Sequence, residues 1–129
     1  MPSAITWEPK GLYARFVGGC SIGDVLRVFE ELGGDPRLDT ARYAIFDYLE
    51  VTAHDVTESD IEHAAALDIG MSFTNPWLLL ASVTTDARIR ELWQHYISVN
   101  VKIERHGIFA TVAEARAWIA ARNGPGAAI

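Results

Sequence analysis

Two short apolar runs, RYAIFDYL at residues 42–49 and WLLLASV at 77–83, constrain this chain more than any other feature. Each is almost continuous in large side chains, the pattern of a strand buried on both faces in a parallel sheet. Parallel neighbours cannot be joined by a tight turn; they need a crossover, usually a helix. The segments that follow supply one each. SDIEHAAALDIGM places Ile61, Ala64, Leu67 and Met71 on one helical side, and TDARIRELWQHYI does the same with Ile89, Leu92, Trp93, Tyr96 and Ile97.

The remaining segments fit the same frame. AITWE and LYARFVG flank PKG, where Pro9 presets a turn and Gly11 relaxes the backbone, so a tight hairpin is predicted. SIGDVLRVFEELGGD reads as a helix capped by Ser21, with Ile22, Val25, Leu26, Phe29 and Leu32 in one stripe. Gly33 and Gly34 are expected to close it through a left-handed turn, and Pro36 blocks its continuation. The next helix is capped by Thr57 or Ser59, Glu62 standing in capping-box register with Ser59; the loop before it spans about residues 50–57. VKIERHGIF is read as a last strand, and TVAEARAWIAAR as a closing helix with a Thr111–Glu114 box that buries Val112, Ala115, Trp118 and Ile119. The fold class is therefore α/β: a single domain over residues 1–123, with a mixed five-stranded sheet, an N-terminal hairpin and about four helices. Residues 124–129 are read as a flexible C-terminal tail. Four helices do not cover both faces of five strands, so a homodimer is expected.

Charge narrows the partners. Seventeen acidic against 11 basic residues give a net charge of −6, which repels phosphate backbones and anionic lipid, and the arginines are scattered. Nucleic acid and membrane insertion are set aside. The single cysteine, Cys20, and an N-terminus without a basic–apolar leader fit a cytoplasmic protein.

Asp47 is placed at the carboxyl end of a central strand, where open α/β sheets bind ligands; a carboxylate there binds a ligand or locks its own loop. Thr57 and Ser59 stand at a helix N-terminus, either as plain caps or as phosphate acceptors. HDVTESDIEH concentrates His54, Asp55, Glu58, Asp60, Glu62 and His63, yet the histidine spacing matches no metal site, so no metal and no cofactor are predicted. His95 and His106 are read as surface residues. Cys20 precedes a helix start, but no base or oxyanion group accompanies it, and no catalytic motif is present, so the chain is read as a non-enzyme. Phe73, Trp77, Trp93 and Tyr96 are placed around one helix–sheet space, as core filling, an apolar ligand pocket or a dimer face.

The element order, with GLYARFVGGCSIGDVLRVFEEL, DPRLDTARYAIFDYLEV, DIEHAAA and IFATVAEARAWI, resembles the STAS domains and most nearly the bacterial SpoIIAA-like (STAS/SEC14-type) group. That resemblance implies a regulatory, anti-sigma-factor antagonist-like role through protein contacts, switched by a serine at the helix after the central strand. Asp47 matches the strand-end aspartate, whereas YLEVTAHDVTESD replaces the short Asp-Ser-Ser-Gly-type turn, so the usual phosphoserine switch is not expected. The first reading is a regulatory protein-binding domain using the helices near residues 47–75. The alternative is a binder of a small apolar or lipid-like ligand.

Overall fold

The hairpin forms as expected. β1 (Ser3–Glu8) and β2 (Gly11–Cys20) pair antiparallel across the Pro9–Lys10 turn, from Ser3↔Phe16 to Glu8↔Gly11. The computed structural model describes residues 3–100 and 103–123; the tail read at 124–129 lies outside them. After the hairpin come α1 (Ile22–Gly33), β3 (Tyr43–His54), α2 (Glu58–Thr74), β4 (Leu79–Val83), α3 (Ala87–Ser98), β5 (His106–Phe109) and α4 (Val112–Asn123). The strand order is β1-β2-β3-β4-β5, and every pair after the hairpin is parallel. Tyr43↔Leu79 through Asp47↔Val83 sets the two apolar runs side by side.

This order explains the layers. Crossovers between parallel strands are right-handed, so three that step the same way place their helices on one face. α1, α2 and α3 do so, packing Val25, Val28, Phe29, Ile61, Trp93 and Tyr96 onto Leu12, Ala14, Phe16, Ala44 and Phe46. α4 leads to no further strand and takes the other face, where Ala115 and Ile119 meet Ile45, Leu79, Ala81 and Val83. β3 and β4 are thus covered on both sides, which their near-continuous apolar runs require. No helix packs across the β1–β2 half of the second face, and its polar side chains pair with residues of β3 and with Arg116 of α4. Tyr13 donates to Asp47, Tyr43 donates to Glu8, and Arg116 holds both Glu8 oxygens at 3.0 and 2.8 Å. Arg116 outweighs burial at Glu8 and keeps its carboxyl below the usual range. Gly11 is required by close approach: a Cβ there would stand 2.6 Å from the Tyr43 backbone oxygen.

Several boundaries differ from the sequence reading. β3 continues to His54, so residues 50–54 are strand and the connection to α2 is short. β2 follows it through two register shifts, and the second uses Gly18 at φ 75°, a left-handed conformation that glycine adopts without strain. α1 ends without a left-handed residue: Gly34 sits at φ −90°, and its N–H reaches Glu30 and Leu32. Of the expected 101–109 strand, 101–102 lie outside the described residues, Ile103–Arg105 form a 3₁₀ turn, and only His106–Phe109 pair with β4. Phe73 belongs to the last turn of α2.

Candidate functional site

β4 pairs with β3 only as far as Asp47↔Val83, and β1 begins opposite Phe16. Beyond those points β2 and β3 continue alone as a two-stranded ribbon, Val17↔Glu50 to Cys20↔His54. The ribbon roofs a cavity at the carboxyl rim of the sheet, where Tyr48, Val51, His54 and Cys20 face Ile61, Ile89 and Trp93 from the helices. Tyr48 stacks on Phe16 (4.8 Å between centroids) and on Trp93 (5.6 Å), so its ring is fixed. Its hydroxyl is buried and has no partner at hydrogen-bonding geometry; the Trp93 indole N–H beside it acts on the oxygen and offers nothing to the O–H donor. Burial dominates and raises the Tyr48 pKa well above the usual tyrosine value. His54 Nδ1 is likewise buried and without a partner. An orphaned buried polar group costs about 1–3 kcal/mol, so two at one cavity are a departure from normal packing.

Cys20 lies on the cavity wall and is buried. Burial first, then the carboxylates of Asp24 and Asp55, push its thiol up to about 11. At pH 8 only about one thiol in a thousand is then ionised, so iodoacetamide is expected to modify Cys20 at least about a hundredfold more slowly than free cysteine. Mass spectrometry of timed quenches reads this, and a rate near that of the free amino acid would refute the buried, acid-flanked thiol.

The sequence-derived residues fall in different places. Asp47 is not at a strand end: β3 runs seven residues beyond it, to His54. Its carboxylate is buried, accepts from Tyr13 O–H and from Leu49 N–H at 2.9 Å, and faces the α4 side of the sheet. Tyr13, partly buried against it, is pushed up to about 12 by burial and then by Asp47. Thr57 is the N-cap of α2, and the capping box uses Asp60; Ser59 lies inside the helix, and the Glu62 carboxylate meets His95 Nε2 at 2.8 Å instead. Glu58 and Asp60 crowd this N-terminus with negative charge. Thr57→Ala is expected to cost about 1 kcal/mol and Ser59→Ala less than about 0.5 kcal/mol in urea unfolding; the reverse ranking would refute this assignment of the cap.

The four aromatic residues do not converge. Trp93 and Tyr96 are buried together, 4.7 Å between centroids in an edge-on pair. Phe73 and Trp77 stand at the opposite rim, where the strands begin, 86% and 61% exposed. Trp77 lies under the Arg105 guanidinium, 5.2 Å from it. Asn75 fixes this corner, its amide donating to the Leu38 and Ala41 carbonyls at 2.7 Å while its side-chain oxygen accepts from Trp77 N–H at 3.0 Å. Lys10, Arg42 and Trp77 border one open groove there, and neither cation has an ion-pair partner among the described residues.

Sequence reasoning missed the buried polar cluster around Asp68 altogether. Asp68 sits on the inner side of α2, accepts from Tyr96 O–H at 2.5 Å and Asn100 at 3.0 Å, and meets His106 Nε2 at 2.6 Å. His106, expected at the surface, has a side chain only 6% exposed because its ring points into the three-helix face. The signal was present: positions 61, 64, 65, 68 and 71 form the buried stripe of α2, and an aspartate occupies one of them. Among the described residues, no three His, Cys, Asp or Glu side chains are arranged to hold a metal ion, and no helix is long and apolar enough to cross a membrane.

The strand order and the three-plus-one helix layers define an α/β domain with a SpoIIAA-like fold. Two solved structures carry that statement. The anti-sigma factor antagonist SpoIIAA in its unphosphorylated form is similar at a TM-score of 0.57 and 11% identity, over 88% of this chain and 91% of that one. The Bacillus cell fate determinant SpoIIAA in its phosphorylated form gives 0.57 and 10%, over 92% and 99%. A third, an uncharacterized protein with a SpoIIAA-like fold from Shewanella loihica PV-4, is 16% identical with a TM-score of 0.49, each chain covered to 92%. No protein-family model matches the chain, and no curated protein matches it significantly.

Proposed function

We propose that this chain is a cytoplasmic regulatory binding domain, without chemistry of its own, that docks a protein partner at the rim carrying Phe73 and Trp77. The observation that carries the reading is the exposure of these two rings, 86% and 61%, in a domain whose other large aromatic side chains are at least partly buried. Covering an exposed large apolar side chain is worth about 1.5–3 kcal/mol, and aromatic anchors dominate protein interfaces. Lys10 and Arg42, which border the groove at Trp77 and outnumber its one carboxylate, Asp39, favour a partner with carboxylates around an apolar segment. The fold shared with a protein described as an anti-sigma factor antagonist supports a binding role. Docking here works without a phosphate on Thr57 or Ser59, because the acids around the start of α2 oppose added negative charge.

The test compares wild type with a Phe73→Ser/Trp77→Ser double variant of unchanged unfolding midpoint. Bait crosslinking in the host, followed by affinity measurement on the purified partner, is expected to show at least a tenfold loss for the double variant. A partner bound equally by both proteins would remove this rim from the reading, and a measured turnover would remove the non-enzymatic claim.

A further inference from the structure

The cavity under the β2–β3 ribbon lies at the other end of the strands from the docking rim and plays no part in that reading. The space in it that admits a water-sized sphere is about 20 Å³; all the gaps between its wall atoms, with the open solvent at its mouth, come to about 310 Å³. That space accommodates one water or one small head group, and a chain attached to the head group would lie along the open mouth. Val25, Val51, Val56, Ile61, Ile89 and Leu92 make its walls apolar. Against them stand the Tyr48 hydroxyl and His54 Nδ1, both buried and both without a hydrogen-bond partner. Tyr48 itself is only 4% exposed, and its stacked neighbours prevent the ring from turning its hydroxyl toward solvent.

We propose that this cavity is a binding site for a small neutral molecule with an aliphatic chain and one hydroxyl group. The ligand hydroxyl accepts from Tyr48 O–H and donates to the lone pair of His54 Nδ1. One hydroxyl thereby satisfies both orphaned atoms, which a purely apolar ligand cannot do. The chain leaves along Val51, Val56 and Ile89 toward the mouth. Charge selects against the two ionic relatives. Outside the mouth, Cys20 and His54 also line a groove carrying Asp24 and Asp55, whose carboxylates already disfavour a thiolate at Cys20. A ligand carboxylate meets the same repulsion. A ligand ammonium would shed its hydration among apolar walls that hold no carboxylate.

The probes are 1-hexanol, hexanoate and hexylamine, titrated into the full chain and followed by ¹H–¹⁵N NMR. Hexanol is expected to saturate, with shifts concentrated at residues 48–56 and 89–93, and to bind at least tenfold more weakly to Tyr48→Phe, which keeps the ring and its packing. Should that variant fail to fold, Val51→Phe, which fills the mouth from a half-buried position, is expected to abolish the shifts. Hexanoate or hexylamine binding as tightly as hexanol would overturn the proposal. So would unchanged affinity in a folded Tyr48→Phe, saturable binding retained by Val51→Phe, or the absence of saturable shifts. A crystal grown in hexanol with only a water bridging Tyr48 and His54 would overturn it equally.

Discussion

Replacing Asp68 by alanine is expected to destabilise the domain by about 3–5 kcal/mol, the loss that follows when one member of a buried polar cluster is removed. The carboxylate accepts from Tyr96 and Asn100 and meets His106 at 2.6 Å, with the Asp68 and His106 side chains 9% and 6% exposed. Without it the Tyr96 hydroxyl loses its acceptor in the packed space between α2, α3 and β5, and water cannot replace it at no cost. For a chain of this length the corresponding fall in Tm is roughly 10 °C or more. Urea unfolding followed by circular dichroism measures the effect. Adding Tyr96→Phe to Asp68→Ala should cost much less than Tyr96→Phe does alone, because the orphaned hydroxyl is removed with it. A loss under about 1 kcal/mol for Asp68→Ala would mean that the cluster contributes little to stability.

Phe46→Ala is expected to be comparably severe, about 3–5 kcal/mol, through a cavity rather than an unpaired group. Phe46 is fully buried in the middle of β3 and its ring lies 5.0 Å from Phe29, 6.2 Å from Phe16 and 6.5 Å from Trp93. It is the one ring that joins β2, α1 and α3, so neighbours held on three elements cannot collapse into the space together. Phe46→Leu, which retains most of the volume, should cost less than about 2 kcal/mol. Equal losses for the two substitutions would indicate that ring geometry, not filled volume, sets the stability here.

The pattern of strands and helices was legible because two independent signals agreed at each step. RYAIFDYL and WLLLASV needed cover on both faces, and the segments after them had the periodicity to provide it. Thr57, Ser21 and Thr111 announced helix starts by side-chain chemistry that acts within four residues, and all three are caps. What failed depended on distant partners. EVTAH, residues 50–54, reads as loop by composition, yet it is strand because β2 pairs with it across more than thirty residues of sequence. His106 reads as surface in an alternating strand, and only the arrival of Asp68 from α2 makes its burial tolerable. Phe73 and Trp77 carry no local mark of exposure; it takes the turn anchored by Asn75 to put both into solvent. Tyr48 illustrates the same limit, since its place on the inner face follows from strand period, but the missing partner for its hydroxyl is a property of the assembled walls.

The sequential strand order has a consequence for how the chain emerges during synthesis. Each new strand finds its neighbour already made, so the sheet can zip from one edge to the other with only local crossovers to close. α4 is the exception: it arrives last and alone shields Ile45, Leu79, Ala81 and Val83. A nascent chain halted after Phe109 would present a finished sheet with one greasy side bare, the form in which this domain is most prone to stick to its own copies.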